Sequence, residues 1–235
     1  MIKTKQYDEY GSLSVYEHDY IISREVLSGR GWSTDLIDIA SKLPEGSHII
    51  DIGAHCGMFS TPVLYKNRSF KSICFEPQRK MYELLVKNIN DNDLQSRCVA
   101  HNCAVGSKDI ENVSLDGGNE GYKANYDNLP SNLGGVAIGE GGEDGVKVVT
   151  LDGIGIDKCD LIKIDVEGAE PYVIEGAKDV IIKFKPVIIY ETNEMKPNEY
   201  MRKLFGTPVD IDSFLKEVGY KNIVKMKSDT IAMFD

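Results

Sequence analysis

The residues whose types and spacing carry the most chemistry run Asp51-Ile52-Gly53-Ala54-His55-Cys56-Gly57. They follow a short apolar run and precede a helical pattern, so they form a turn. Glycine is needed in such a turn where backbone takes positive φ or comes close to a ligand. A dinucleotide fingerprint needs glycines at 53, 55 and 58, but His55 and Met58 stand there. A phosphate loop would end in Gly-Lys-Ser/Thr, which is absent. The spacing Asp-x-Gly-x-x-x-Gly leaves room for a nucleoside without a pyrophosphate, and Asp51 could hold a positive ammonium directly or through water. Glu76 ends the next strand pattern, 25 positions after Asp51. A carboxylate at that edge accepts hydrogen bonds from both ribose hydroxyls. The third strand ends at Asn102-Cys103-Ala104-Val105-Gly106, where small side chains and an amide could line an adenine ring. An acidic turn, an acidic second tip and an apolar third tip together suit S-adenosylmethionine.

Strands alternating with helices must position these tips. Leu36, Ile37, Ala40 and Leu43 share a helical face between a Ser33-Thr34-Asp35 start signal and a stop at Pro44-Glu45-Gly46. Residues 48–52 read as a buried strand, 57–66 as a helix and 72–76 as the second strand. Met81, Leu84, Leu85 and Ile89 mark the next helix, and 98–105 the third strand. Further strands are predicted at 146–151, 160–166 and 187–191, helix faces on Ala169, Val173, Ala177, Val180 and on Ile211, Phe214, Leu215, Val218, and a closing hairpin over 223–226 and 230–234. This alternation predicts βαβ units and a mainly parallel sheet. Between 116 and 145, nine of the chain's 22 glycines fall without periodicity. We read this segment as a loop over the active face rather than a domain boundary, within a single domain of 1–235 carrying an N-terminal extension of 1–32.

With 235 residues, 42% of them hydrophobic and 27% charged, the chain is globular in composition, which excludes a disordered chain and a bundle of membrane spans. Its formal charge of −10, with no dense basic cluster, disfavours nucleic acid as a partner. Cys56, Cys74, Cys98, Cys103 and Cys159 are odd in number and form no CxxC pair, so they read as reduced thiols in a cytoplasmic protein. The first residues have no apolar stretch after them, and no signal peptide is expected.

Four segments carry a resemblance. They are Ile49 to Ser60, Phe75-Glu76-Pro77, Asn102 to Gly106, and Leu161-Ile162-Lys163-Ile164-Asp165-Val166-Glu167-Gly168-Ala169-Glu170. Together they resemble the successive motifs of the FkbM-type methyltransferases, over about residues 33 to 193. The resemblance implies an α/β, Rossmann-like class I methyltransferase fold, a seven-stranded sheet with helices on both faces and its last strand antiparallel. It also implies S-adenosylmethionine as donor and O-methylation, often of a sugar or a glycosylated natural product. Cofactor contacts carry over to Asp51, Gly53, Ala54, His55, Gly57, Glu76, Pro77, Asn102, Cys103, Ala104 and Asp165.

An alcohol is a poor nucleophile, so a base or a metal must take or weaken its proton. In this fold the fourth strand's tip lies beside the donor methyl, which puts Asp165 there, Glu167 two residues on, and Glu191 at the fifth tip. These three are the catalytic candidates. Asp165, Glu191 and Asn193 could alternatively ligate Mg2+ or Mn2+ gripping two vicinal hydroxyls. Acids that merely favour the helix start at Gly168 are the bland alternative. Trp32, Tyr122, Tyr126 and Asn193 are acceptor candidates. His55 contacts the donor, acts as base, or simply bonds backbone, while Cys56 and Cys103 read as packing. A carbohydrate or glycosylated small molecule is the expected acceptor. The alternatives are a methyltransferase acting on a non-sugar small molecule and a binding or scaffolding module without activity. Amino-methylating enzymes place an Asn/Asp-Pro-Pro-aromatic block at the fourth strand, where this chain has Asp165-Val166-Glu167-Gly168.

Overall fold

The computed structural model describes residues 1–116, 132–140, 143–192 and 196–234. In chain order the elements are β1 (Ile2–Tyr7), β2 (Gly11–Tyr16), α1 (Ile22–Leu27), α2 (Thr34–Ala40), β3 (His48–Ile52), α3 (Ser60–Lys66), β4 (Lys71–Phe75) and α4 (Arg79–Asp91). There follow β5 (Cys98–His101), β6 (Ala104–Val105), β7 (Ile110–Asp116), β8 (Ala137–Ile138), β9 (Glu143–Val149), β10 (Leu161–Ile164), α5 (Glu170–Glu175) and α6 (Lys178–Phe184). The chain closes with β11 (Val187–Glu191), α7 (Glu199–Phe205), α8 (Ile211–Val218), β12 (Asn222–Lys225) and β13 (Asp229–Met233).

The main sheet has seven strands in the order β5-β4-β3-β10-β11-β13-β12. The first five are parallel, and β13 runs antiparallel to both neighbours. This is the class I methyltransferase arrangement that the alternation and the resemblance predict. Strand order reverses between β3 and β10, so their carboxyl ends flank the crevice where open α/β sheets bind ligands. The central strands are apolar because both faces are covered. Ile50, Ile52, Ile162 and Ile164 face Val173, Ile174 and Ile181 of α5 and α6. On the other face Ile49, Leu161 and Ile189 meet Leu36, Ile37, Leu64 and Leu85 of α2, α3 and α4.

The structure departs from the sequence reading in several places. The 98–105 strand breaks at Asn102-Cys103, and β6 leaves the main sheet to join a second one in the order β6-β9-β7-β8. Residues 146–149 belong to that second sheet, packed through Val113, Leu115, Ile138, Val146 and Val148 on Tyr172 and Met201. The 57–66 helix is also shorter than expected and starts at Ser60.

The hairpin β1–β2 is docked by asparagines. Asn92 accepts from Ser12 N at 2.7 Å and donates to Ser12 O at 2.7 Å, while Asn88 accepts from Ser14 N at 2.8 Å and donates to Ser14 O at 3.0 Å. One turn apart, on α4 and at its C-cap, these amides bond the free edge of β2 as a neighbouring strand would. Asn88 Nδ2 also donates to Cys56 O at 2.7 Å, tying the hairpin to the glycine turn. Asn88→Ala strips partners from three buried backbone groups, each costing about 1–3 kcal/mol. A loss of about 3 kcal/mol in urea unfolding, with faster exchange of the Ser14 amide, is expected. A loss below about 1 kcal/mol would show that the docking is not energetic.

Candidate active site

The turn after β3 is bent by three positive φ angles, +77° at Gly53, +50° at His55 and +83° at Gly57. A Cβ on Gly53 would lie 1.8 Å from the Asp165 carbonyl oxygen, and one on Gly57 would lie 2.7 Å from Leu85 Cδ1. The glycines therefore serve the close approach of β10 and α4. The turn is bonded to the second tip, since Gly53 N and Ala54 N both donate to Phe75 O at 3.0 Å.

Glu76 is buried and already engaged. Its Oε2 accepts from His55 N at 2.7 Å and its Oε1 from Gln78 N at 2.8 Å. Burial nonetheless pushes its carboxyl up to about 8, against those two amides. The Asn102 amide donates to Glu76 O at 2.9 Å and Pro77 O at 3.0 Å, fixing the second tip against the third.

A cavity of about 720 Å³ opens over the tips. Gly53, Ala54, His55, Glu76, Pro77, Cys103, Ala104, Asp165, Glu167, Glu191 and Trp32 line it, and Asp51, Gly57 and Asn102 do not. Asp51 is fully buried, with Oδ2 accepting from Ser60 Oγ at 2.6 Å and Oδ1 3.6 Å from Lys163 Nζ. The ammonium it faces is thus the protein's own. Asn193, Tyr122 and Tyr126 fall outside the described residues.

Asp165, Glu167 and Glu191 bring carboxylate oxygens within 4.8 Å of one another. Burial, then the neighbouring acids, pushes Glu191 up to about 8 and Glu167 up to about 7. Glu191 Oε2 is buried without a hydrogen-bond partner among the described residues. Glu167 takes φ +55°, a left-handed conformation held by the sharp exit from β10. Glu170 stands behind, with Oε1 accepting from Val166 N at 3.1 Å and Gly168 N at 3.3 Å. Glu167 and Glu191 are therefore held toward their protonated forms at neutral pH.

Burial pushes His55 down to about 4, so its ring is neutral beside Cys56 Sγ at 3.3 Å and Asp19 Oδ2 at 3.9 Å. Burial holds the Cys56 thiol well above the ordinary range and pushes Cys103 up to about 11, so neither is a thiolate nucleophile.

The sequence reading missed three contributors. Lys163, buried in β10, puts Nζ 3.1 Å from Asp165 Oδ2; its signal was a lone charge in an otherwise apolar strand. Asp19, also buried, accepts a hydrogen bond from the Leu133 backbone. Gln78 Nε2 donates to Leu133 O at 3.0 Å. Ile21, Ile22 and Trp32 line the cavity together with Gly134, Gly135 and Val136, so the N-terminal segment and residues 132–138 wall the same space.

A family model described as the methyltransferase FkbM domain matches residues 51–221. The chain belongs to the FkbM methyltransferase family. Methyltransferase sdnD of Sordaria araneosa is similar at 29% identity, over 78% of this chain and 76% of that protein. The crystal structure of methyltransferase FkbM from Methylobacillus flagellatus KT aligns with TM-score 0.53 at 18% identity, covering 80% of this chain and 44% of that one. An O-methyltransferase family protein from Burkholderia thailandensis aligns with TM-score 0.50 at 13% identity, over 93% of this chain and 59% of its own. The chain thus spans less than two thirds of either solved relative, and those likenesses show the fold. This FkbM-family chain is an S-adenosylmethionine-type methyltransferase. Among the described residues no helix is long and apolar enough to cross a membrane.

Proposed function

We propose that this FkbM-family protein transfers the methyl group of S-adenosylmethionine to a hydroxyl of a sugar or glycan, using the acids at the β10 and β11 tips to take the proton. The observation that carries the reading is the convergence of Asp165, Glu167 and Glu191 on one cavity that also contains Glu76 and Trp32.

The residues fit the donor. Its volume class suits the cavity, Glu76 faces the space where a ribose would lie, and Cys103, Ala104 and Val105 supply an apolar wall for a flat base. The donor supplies an electrophilic methyl on a positive sulfur with a neutral leaving thioether. The chain's own work is alignment and proton removal. Asp165 and Glu191 stand at the two tips, and a carboxylate there accepts the hydroxyl proton as the oxygen becomes nucleophilic. Burial, and then the neighbouring acids, raise the Glu191 carboxyl to about 8, near the range where general-base catalysis is most effective. Trp32 offers a face for a sugar ring, and the carboxylates accept from its hydroxyls.

A hard divalent cation is a second reading, favoured by the three clustered carboxylates. One of Asp165's oxygens is already paired with Lys163, so the cluster's charge is partly answered from within.

Methyl transfer from isotope-labelled donor to a panel of neutral glycosides tests both readings. Label is expected on a glycoside, with Asp165→Asn slower by about 100-fold or more while still folded. Activity that survives EDTA supports the carboxylate base, and loss restored by Mg2+ supports the cation. Labelling of non-carbohydrate acceptors alone would overturn the sugar assignment.

A further inference from the structure

Lys163 is the one charged lysine or arginine among the described residues lining the cavity, where the acids are Glu76, Asp116, Asp165, Glu167 and Glu191. Its side chain is only 8% exposed, and Nζ lies 3.1 Å from Asp165 Oδ2, 3.6 Å from Asp51 Oδ1 and 3.5 Å from Gly53 O. Phe59 puts its ring 6.0 Å from the same ammonium. The charge therefore sits under the junction of the glycine turn and the β10 tip, in the strands between which the sheet order reverses.

A buried cation at a site for a cationic donor needs a reason. Methyl transfer breaks the carbon–sulfur bond with its electron pair going to sulfur, forms the oxygen–carbon bond, and passes the hydroxyl proton to a carboxylate. The positive charge on sulfur is lost along the way. A cavity wall made only of acids would favour the charged ground state more than the transition state, and so raise the barrier. A fixed positive charge close by subtracts from that preference. The same ammonium holds one oxygen of Asp165, whose side chain is part of the cavity wall.

We propose that Lys163 is a positioning residue that orients Asp165 and sets the charge felt by the donor's sulfur. This rests on the donor reading above. It is distinct from a merely structural ion pair, because it concerns how the site discriminates a sulfonium from a thioether.

The test is calorimetric titration of the full chain, in EDTA-containing buffer, with S-adenosylmethionine and with its neutral demethylated product. Each is measured on the native protein, Lys163→Gln, Lys163→Arg and Asp165→Asn, with folding checked by thermal melting. Lys163→Gln is expected to shift the affinity ratio toward the cationic donor on the order of tenfold, the effect of one unit charge in a partly buried site. Lys163→Arg should keep the native ratio, and Asp165→Asn should move it the other way. A structural role weakens both ligands alike, so an unchanged ratio in Lys163→Gln overturns the proposal. Should Lys163→Gln fail to fold, an unchanged ratio in Asp165→Asn overturns it equally. Native protein that binds neither ligand removes the donor reading and this proposal with it. Native binding with an immovable ratio removes the proposal alone.

Discussion

Gly53→Ala is expected to cost at least about 4 kcal/mol and to leave little folded protein able to bind donor. Part of the cost is conformational, because φ at this position is +77° and an L side chain there loses about 1–2 kcal/mol. The larger part is steric. The added carbon would lie 1.8 Å from the Asp165 carbonyl oxygen, a backbone atom that cannot rotate away. Asp165 is held there because its own N–H donates to Ile52 O at 3.0 Å across the β3–β10 pair. Relief would require separating the two central strands, against a total stability of about 5–15 kcal/mol for a typical domain. Gly46→Ala is the matched control, with φ +76° and nothing within 4 Å of the added carbon. Urea unfolding of the pair is expected to give about 1 kcal/mol for Gly46→Ala and several times that for Gly53→Ala. Equal costs would mean that the strand approach does not shape the turn.

Stability is expected to fall as pH rises from about 5 to about 8.5. Burial holds Glu76 and Glu191 at about 8 and Glu167 and Glu170 at about 7 in the folded chain. In the unfolded chain such groups titrate near 4.3. Between these limits the folded state binds more protons than the unfolded one, so raising pH favours unfolding. The contribution is fully present below about pH 4 and is lost as pH passes about 8. His55, lowered to about 4, acts in the opposite sense between about pH 6.5 and about 4, but one group against four acids only lessens the slope. Thermal melting should show Tm lower by roughly 5–10 °C at about pH 8.5 than at about pH 5. A cationic donor favours the ionised carboxylates, so its affinity should strengthen over the same rise. A melting temperature that climbs steadily from acid to alkaline pH would contradict the assignment of protonated acids at the tips.

The main sheet was legible because both of its faces are covered. Residues 48–52, 161–164 and 187–191 are buried β-branched runs that could be little else. The turn was legible from Asp51, Gly53 and Gly57, although its glycines answer to neighbouring protein atoms as much as to any ligand. The second sheet was hidden because β7 shifts register between Ile110, Val113 and Leu115, which breaks the alternation that marks a strand. The β1–β2 hairpin was hidden for a different reason. Its partner edge is made by the side chains of Asn88 and Asn92, and no pattern in a helix announces that use. Lys163 was visible as a charge inside a strand, but what it neutralises depends on Asp51, 112 positions earlier. The Asp19 and Gln78 bonds to Leu133 likewise join segments that only the fold brings together.

We propose that the cavity over the β3, β4 and β10 tips holds the adenosyl donor. A crystal structure of the chain grown with saturating demethylated donor tests it most directly. The expected result is a bound molecule with its ribose hydroxyls on Glu76, its base against Cys103, Ala104 and Val105, and its sulfur toward Asp165. An empty cavity at saturation, or the molecule bound away from these residues, would contradict it.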